Sequence, residues 1–191
     1  MKEEFYYNNR KNALDYIKMA IPYDGRLLIR KLVKHLNEGA SILELGMGPG
    51  KDLDLLSQKY KVTGSDLSGE FINIYREKNP EADLHVLDAH KIEINRKFDC
   101  IFSNKVMHHL SKKELTESLI RQYEILNPGG IVLHSFWEGD REEVLSGLRF
   151  VYYSKKYLET SFSKIFTIIS SEIYSEVFPD DSIYIIAQKN S

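Results

Sequence analysis

The 191-residue sequence has one cysteine, no long apolar run and no excess of charge of either sign. The lone Cys100 excludes an internal disulfide or a cysteine-based metal cluster and is typical of a reducing cytoplasm. A dispersed net charge of −2 offers no general attraction to nucleic acid or to a membrane. The apolar runs are too short for a membrane span, and the N-terminus lacks the apolar core of a signal peptide. We therefore predict a single cytoplasmic domain without a nucleic-acid or membrane partner.

What the sequence does contain is a glycine-rich turn within residues 42–52. An apolar strand leads into Gly46, Gly48 and Gly50, and an amphipathic segment begins near Leu53. Alternating glycines let the backbone turn tightly and approach a ligand with no Cβ in the way. A helix that starts directly after such a turn presents unpaired N–H groups and the positive end of its dipole. The pattern predicts a nucleotide-type cofactor site at the tip of a first strand.

The order of predicted elements indicates an α/β fold. Hydrophobic periodicity predicts helices over 11–21, 24–36, 51–60, 69–78, 112–126 and 155–162 and strands over 41–45, 61–66, 84–87, 98–102, 131–136, 165–174 and 182–188. Between the fifth strand and the last helix we predict a loop with a short helix at 141–148. The whole predicts a doubly wound, Rossmann-like, seven-stranded sheet with an antiparallel last strand and helices on both faces.

The spacing of the glycines decides between cofactors. A dinucleotide loop has the pattern G-x-G-x-x-G, and here Lys51 stands where the third glycine belongs. The observed pattern, Glu44-x-Gly46-x-Gly48-x-Gly50, resembles motif I of the class I S-adenosylmethionine-dependent methyltransferases, the loop that wraps the methionine part of the cofactor.

The resemblance covers about residues 40–190. Asp66 ends the second predicted strand, where the family has an acid for the ribose, and Asp88 ends the third, where it has an acid near the adenine amino group. Residues 127–130, Asn-Pro-Gly-Gly, resemble the family's turn before strand five. The resemblance implies S-adenosyl-L-methionine as cofactor and the following binding residues: Glu44, Gly46, Met47, Gly48, Gly50, Asp66, Leu67, Asp88, Ala89 and Asn104.

The chemistry of these residue types agrees with that cofactor. A carboxylate such as Asp66 can accept hydrogen bonds from both hydroxyls of a ribose. Alternatively, Asp66 caps the helix that begins at Ser68, and Asp88 is a solvated carboxylate in a loop. Glu44 and the carbonyls of the turn give a negative lining for a sulfonium, with Glu44 either touching the cofactor or orienting the loop.

The acceptor is predicted to be a small molecule. The segment after the fourth strand lacks the N/D-P-P-Y/F signature of enzymes of this fold that methylate amino groups of bases or glutamine. Its His108-His109-Leu110 instead resembles the ubiquinone/menaquinone-biosynthesis-like, small-molecule branch. We hypothesise that His108 or His109 takes a proton from a hydroxyl or ammonium acceptor. Alternatively, one packs under the cofactor and the other caps the next helix, and a thiolate or inorganic anion would need no base.

The substrate wall is expected outside the sheet. Residues 1–39 are predicted to be part of a substrate lid on a cofactor-binding core of residues 40–191. The candidates for the wall are Tyr6, Tyr7 and Trp137, with Phe5, Tyr16, Phe136, Glu138 and Arg141 beside them. The alternative for the N-terminal aromatic residues is plain packing onto the sheet.

The function predicted is in-line transfer of a methyl group to a small molecule by a monomer or homodimer. Alignment of nucleophile, methyl and sulfur can supply about 7–11 kcal/mol. The alternatives are a regulatory protein that binds S-adenosylmethionine without chemistry and a nicotinamide oxidoreductase. Tyr152 and Lys156 match the short-chain dehydrogenase pair, but the dinucleotide loop is absent. His108, His109 and His134 lack the spacing of a metal site, and no metal is expected.

Overall fold

Nine strands and six helices build the part of the chain that the computed structural model describes, residues 6–145 and 147–190. The strands are β1 (Ser41–Leu45), β2 (Lys61–Asp66), β3 (Leu84–Val86), β4 (Phe98–Asn104), β5 (Leu126–Trp137), β6 (Glu142–Leu145), β7 (Leu148–Val151), β8 (Thr167–Tyr174) and β9 (Ser182–Gln188). The helices are α1 (Arg10–Met19), α2 (Arg26–Leu32), α3 (Lys51–Leu56), α4 (Gly69–Lys78), α5 (Lys112–Ile125) and α6 (Lys155–Phe162). Short 3₁₀ turns lie at Tyr6–Asn8 and Met107–His109.

Seven of these strands form one mixed sheet in the order β3-β2-β1-β4-β5-β9-β8. The first five run parallel, and β9 lies antiparallel between β5 and β8. The predicted seven-stranded, doubly wound fold is therefore confirmed. Strands β1 to β3 are added toward one edge of the sheet, and β4 and β5 toward the other, so the order reverses between β1 and β4. Ligands of such sheets bind at the carboxyl ends of the strands at this switch point.

Each face of the sheet carries its own apolar core. One core is centred on α5 and α6, with Ile101, Val132 and Phe136 pointing into it from the strands. The other lies under α2, where Leu28 and Leu32 meet Ile42 and Phe102. Strands covered on both faces are continuous apolar runs, which is why β4 and β5 are recognisable in the sequence. The capping box of Ser111 and Glu114 opens α5 as predicted.

The largest departure from the sequence prediction is at 141–148. The predicted short helix is wrong, because β6 and β7 pair there as an antiparallel hairpin, with Leu145 opposite Leu148. Gly147 has φ = 77°, a left-handed conformation that glycine tolerates best. The hairpin is fixed by contacts of Phe150 with residues distant in the sequence, which local periodicity does not carry.

Element boundaries differ in smaller ways. Helix α2 ends at Leu32 and α3 at Leu56, each earlier than the apolar periodicity suggests. Strand β5 begins before the Asn-Pro-Gly-Gly segment rather than after it, and the segment forms an irregularity between the pairs Phe98–Leu126 and Cys100–Ile131. Within the described residues, none of the helices has the length and apolar character needed to cross a bilayer.

Candidate functional site

The glycine turn forms the floor of the site at the carboxyl end of β1. Gly46, Gly48 and Gly50 have φ of 69°, 48° and 83°, so all three adopt the left-handed conformation that glycine tolerates best. Space restricts two of them further, because a Cβ on Gly46 would overlap Val106 and one on Gly50 would overlap the Tyr75 ring. The turn is held to the neighbouring strand by a 2.8 Å hydrogen bond from the Met47 N–H to the Ser65 carbonyl.

Four carboxylates surround this turn, namely Glu44, Asp52, Asp54 and Asp66. Among the described residues, no lysine, arginine or histidine forms an ion pair with any of them. Glu44 is buried, and its Oε2 has no hydrogen-bond partner. Burial, reinforced by the neighbouring carboxylates, raises the pKa of Glu44 well above its ordinary value. An unpaired cluster of this kind suits a ligand that brings positive charge, as a sulfonium and an ammonium group do.

Asp66 lies where β2 ends and is the best-defined acceptor of the cluster. Its Oδ2 accepts the Gly48 N–H at 2.9 Å, and its Oδ1 accepts the Ser68 N–H at 2.8 Å. Burial raises the pKa of Asp66 to about 6, although these backbone hydrogen bonds oppose the shift. The carboxylate thus joins the turn to Ser68, but Asp66 does not cap α4 itself, because the Ser68 side chain does so by accepting the Phe71 N–H at 3.3 Å.

Asp52 and Asn104 connect the turn to the end of β4. Asp52 accepts the Gly25 N–H at 2.6 Å and the Asn104 side-chain amide at 3.0 Å. Asn104 accepts the Ser135 hydroxyl at 2.6 Å in turn. Asn104 is among the residues expected from the sequence, whereas Asp52, which links α3 to the residue before α2, is not.

The remaining expected cofactor residues line the same edge. Asp88 accepts the His90 N–H at 2.8 Å through Oδ1, and the Ala89 carbonyl accepts the Ser118 hydroxyl at 2.6 Å. Leu67 follows Asp66 and leaves 43% of its surface exposed. The described residues therefore place the ten expected cofactor residues along one continuous edge from β1 to β4.

Helix α1 packs over the glycine turn and brings the N-terminal aromatic residues to Asp66. The rings of Tyr7, Tyr16 and Phe71 contact one another with centroids 5.1–5.6 Å apart. The Tyr7 carbonyl accepts the Ser68 hydroxyl at 2.6 Å, and burial raises the pKa of Tyr7 to about 12. Tyr6 packs edge-on to Tyr7 and is 40% exposed, whereas Phe5 lies outside the described residues.

Lys51 fastens α1 to the start of α3. Its Nζ donates to the carbonyls of Ala20, Ile21 and Tyr23 at 3.3, 2.5 and 2.8 Å. These carbonyls follow the last turn of α1, where a cation is favoured by the unpaired acceptors and the helix dipole. Lys51 therefore does not approach a phosphate-type ligand in the turn.

Replacing Lys51 with methionine is expected to lower the free energy of unfolding by about 1–2 kcal/mol, because three carbonyls lose a charged donor. Urea denaturation measures this change. Limited proteolysis should show faster cleavage within residues 10–24. Lys18→Met is the matched control, since Lys18 is exposed and pairs only with Asp15. Equal stability of the two variants would contradict the anchoring role of Lys51.

The two adjacent histidines differ in their surroundings. His109 Nδ1 lies 2.7 Å from the Arg149 carbonyl, so this nitrogen carries the proton and the neutral ring keeps a lone pair on Nε2. His108 is 2% exposed, and neither of its ring nitrogens has a partner. Phe150 of β7 stacks on His108 at 5.2 Å and meets His109 edge-on at 4.8 Å. Burial lowers the pKa of both histidines, so both rings are neutral near pH 7.

Lys105 is a residue of the site that no sequence pattern indicates. It adopts φ = 56° directly after β4. Its Nζ donates to Ser182 at 2.6 Å, pairs with Glu176 at 3.1 Å and lies 3.5 Å from the centre of the Trp137 ring. Burial lowers the pKa of Lys105 to about 8, and the Glu176 carboxylate opposes this shift. These contacts bind the end of β4 to the ends of β5, β8 and β9.

Other residues considered in the sequence lie elsewhere. His134 is buried, and its Nδ1 and Nε2 lie 2.7 Å from the Ser103 hydroxyl and the Gln122 side-chain oxygen. These are not the residues that His108 and His109 contact. Phe136 is fully buried in the core, and Arg141 stacks on Tyr152 in the hairpin. In the described ranges no three histidine, cysteine or acidic side chains are grouped to hold a metal.

A cavity of about 220 Å³ opens on the α2 side of this edge. Its lining residues are Pro22, Tyr23, Asp24, Leu27, Leu28, Asn104, Tyr174, Ser175 and Glu176. A larger depression of about 410 Å³ lies at the other end of the sheet, around Ala40 and Gly130. That depression is remote from the glycine turn and from the carboxylates, so the smaller cavity is the one that belongs to the site.

Part of the chain matches a known domain family. Residues 42–130 match the profile of the methyltransferase domain family. A tRNA (carboxymethyluridine(34)-5-O)-methyltransferase of Arabidopsis thaliana is 32% identical over 136 residues, 69% of this chain and 32% of the relative. A dTDP-3-amino-3,6-dideoxy-alpha-D-glucopyranose N,N-dimethyltransferase of Streptomyces fradiae is 32% identical over 108 residues, 54% of this chain and 42% of the relative. The chain thus spans less than half the length of these curated relatives.

Solved structures share the fold over nearly the whole chain. The 1,6-didemethyltoxoflavin-N1-methyltransferase of Burkholderia thailandensis, with bound 1,6-didemethyltoxoflavin and S-adenosylhomocysteine, matches with a TM-score of 0.78 and 19% identity, covering 95% of this chain and 87% of that one. The N-methyltransferase NodS of Bradyrhizobium japonicum, in complex with S-adenosylhomocysteine, matches with a TM-score of 0.71 and 13% identity, covering 94% and 99%. At these identities the likeness concerns the fold.

Proposed function

We propose that this chain, which contains a methyltransferase domain of the class I S-adenosylmethionine-dependent type, transfers a methyl group from S-adenosylmethionine to a small-molecule acceptor. The observation that carries the proposal is the unpaired carboxylate cluster around a turn of three left-handed glycines. The cluster offers negative charge and acceptors for ligand hydroxyls at one point, and the nearby Lys51 is bound to carbonyls after α1 and is not available to a phosphate.

The residues present fit the cofactor. Asp66 would hold the ribose hydroxyls, Asp88 with Ala89 the adenine end and the glycine turn with Glu44 the methionine end. When bound, S-adenosylmethionine supplies an electrophilic methyl group on a positively charged sulfur. The chain itself binds, orients and excludes water, and α1 with its aromatic residues acts as a lid that Lys51 fastens.

We assign proton removal to His109 rather than His108. The Arg149 carbonyl fixes the His109 tautomer, so that Nε2 presents a lone pair in a neutral ring at pH 7. His108 has no polar partner to orient it and packs between Phe150 and Trp137. The hairpin β6–β7 is therefore the element that positions the base, through Arg149 and Phe150.

Replacing His109 with glutamine is expected to lower kcat by about 100-fold or more, since a positioned general base contributes about 10²- to 10⁴-fold. The affinity for S-adenosylhomocysteine should not change, because the base faces the acceptor. His35→Gln is the control, as His35 lies at the other end of the sheet. A kcat equal to that of the unaltered protein would remove the assignment.

Isothermal titration with S-adenosylhomocysteine, followed by transfer of labelled methyl groups to an acceptor panel, tests the proposed function. We expect stoichiometric binding and label in a small-molecule acceptor. Failure of the folded protein to bind S-adenosylhomocysteine would overturn the proposal. Binding without transfer to any acceptor would favour the regulatory alternative instead.

A tRNA acceptor is the second candidate, and the Arabidopsis relative is the observation that favours it. Recognition of RNA by this chain alone would require basic residues along its phosphates, whereas the net charge is −2. Labelled methyl groups in bulk tRNA, with a steep loss of activity at rising salt, would establish it. The amino-sugar relatives support the small-molecule proposal in the same way.

A further inference from the structure

We infer that the cavity beside Asn104 binds the reacting end of the acceptor as an organic ammonium ion, so that the acceptor atom is an amine nitrogen. This inference rests on the proposed methyl transfer and adds the chemical class of the substrate. The cavity is next to the cofactor edge because Asn104 lines it and donates its amide to Asp52, which follows the glycine turn.

The lining combines oxygen atoms and aromatic rings with the aliphatic side chains of Pro22, Leu27 and Leu28. Asp24 and Glu176 contribute carboxylates, Asn104 and Tyr174 contribute further polar groups, and Tyr23 adds a second ring. Among the described residues, no lysine, arginine or histidine lines it. Carboxylates together with aromatic faces recognise ammonium groups through charge, hydrogen bonds and cation–π contact.

Both lining carboxylates also pair with a cation of the chain. Arg26 pairs with Asp24 at 3.3 Å but leaves 66% of its side chain exposed, where water screens it. Lys105, which is largely buried, pairs with Glu176 at 3.1 Å and lies over the Trp137 ring, so Asp24 is the more accessible carboxylate for a ligand. The Tyr174 hydroxyl donates to the same Glu176 carboxylate at 3.0 Å and fixes its direction.

The size of the cavity limits what enters it. A volume of about 220 Å³ is smaller than the roughly 300–1,000 Å³ of pockets for drug-sized ligands. It takes an amine-bearing end, while the rest of the acceptor lies over exposed apolar side chains at the mouth. Those beside or within the lining segments are Ile21, Tyr23, Leu27, Val177 and Phe178.

The transfer conserves protons and electron pairs. Because the cavity carboxylates favour the protonated amine, the bound ammonium must first lose one proton. His109 does not line the cavity, so the proton reaches its neutral imidazole through water. The freed nitrogen lone pair then forms a bond to the methyl carbon. The bond from that carbon to sulfur breaks, and its electron pair stays on sulfur, which becomes neutral. The product nitrogen is again a cation and carries one methyl group more.

Isothermal titration of the protein saturated with S-adenosylhomocysteine tests the inference with two matched probes, 2-phenylethylamine and 2-phenylethanol. We expect the amine to bind at least about tenfold more tightly than the alcohol, as a charged hydrogen bond is worth this much. Asp24→Asn should remove most of that difference. Asp15→Asn, an exposed carboxylate on α1 that pairs with Lys18, should leave it unchanged.

Glu176→Gln provides the second variant, with its thermal unfolding recorded because Lys105 loses its partner. A folded Glu176→Gln protein should also bind the amine about tenfold more weakly. Equal or undetectable binding of the two probes, or an Asp24→Asn protein that keeps the full preference, would overturn the inference. Saturation with S-adenosylhomocysteine is measured in the same sample. Its binding without a preference for the amine would leave the proposed methyl transfer standing, whereas its failure to bind would remove both.

Discussion

Replacing Gly46 with alanine is expected to weaken binding of S-adenosylhomocysteine by about 100-fold or more, a loss of about 2.7 kcal/mol. Two costs combine at this position. The residue has φ = 69°, where a non-glycine residue loses about 1–2 kcal/mol, and the new Cβ would overlap the Val106 side chain. The turn must shift to relieve the overlap, and the carbonyls and N–H groups that shape the site shift with it. Isothermal titration measures the affinity.

Gly39→Ala separates the two costs. Gly39 has φ = 80°, but a Cβ there would meet no atom within 4 Å. We expect this control to lose about 1 kcal/mol of stability and to keep the full affinity. Combining Gly46→Ala with Val106→Ala should recover part of the binding, since two methyl groups leave the overlap. Full affinity of the single Gly46 variant would show that the turn does not contact the cofactor.

The fold was predictable where signals are local. The apolar runs of β4 and β5, the capping box at Ser111 and the glycine spacing after β1 each depend on a few neighbouring residues. The hairpin β6–β7 was not predictable in this way. Its residues include helix formers such as glutamate and leucine, and the stacking of Phe150 on His108 and His109, far away in sequence, favours the extended form.

The residues of the site likewise differ in how far the sequence predicts them. The residues of motif I, the acid that ends β2 and the acid two residues after β3 were predicted from their resemblance to short family motifs. Lys105 and Glu176 were not, because their ion pair joins the end of β4 to the turn after β8, and no pattern in the sequence relates the two. Likewise, Asp52 looks like an ordinary first-turn carboxylate of α3, and its bonds to Gly25 and Asn104 depend on the start of α2 and the end of β4, which are distant in the sequence.

The pH dependence of cofactor binding should follow Asp66. Its pKa of about 6 means that the carboxyl is protonated in a large part of the free protein at pH 5. Ribose hydroxyls donate hydrogen bonds to the ionised form, so binding lowers this pKa and releases a proton. We therefore expect the affinity for S-adenosylhomocysteine to rise as pH increases from about 5 to about 7 and then to level off. Titrations in buffers of different ionisation enthalpy measure the released proton directly.

The free energy of unfolding of the free protein changes with pH in the opposite direction. The pKa of Asp66 is raised in the folded state, so its contribution to the free energy of unfolding is fully present below the unfolded value of 3.8 and is lost as pH rises through about 6. The loss is about 3 kcal/mol in order of magnitude. The free energy of unfolding of the free protein thus falls over the same pH range in which the affinity for the cofactor rises. Ionised Asp66 therefore destabilises the free protein and stabilises the complex.

Asp66→Asn should remove both effects at once. The amide keeps the size of the side chain, but its NH₂ would face the N–H of either Gly48 or Ser68, and a donor cannot accept from a donor. We expect affinity at pH 7 to fall by about 10- to 100-fold, the value of a charged hydrogen bond, with no rise between about pH 5 and about pH 7. Asp15→Asn, which removes an equal charge from an exposed position of α1, should keep the pH profile of the unaltered protein. If the Asp66→Asn protein kept the rise with pH, the titrating group would have to be another member of the cluster, with Glu44 first because its Oε2 is buried without a partner.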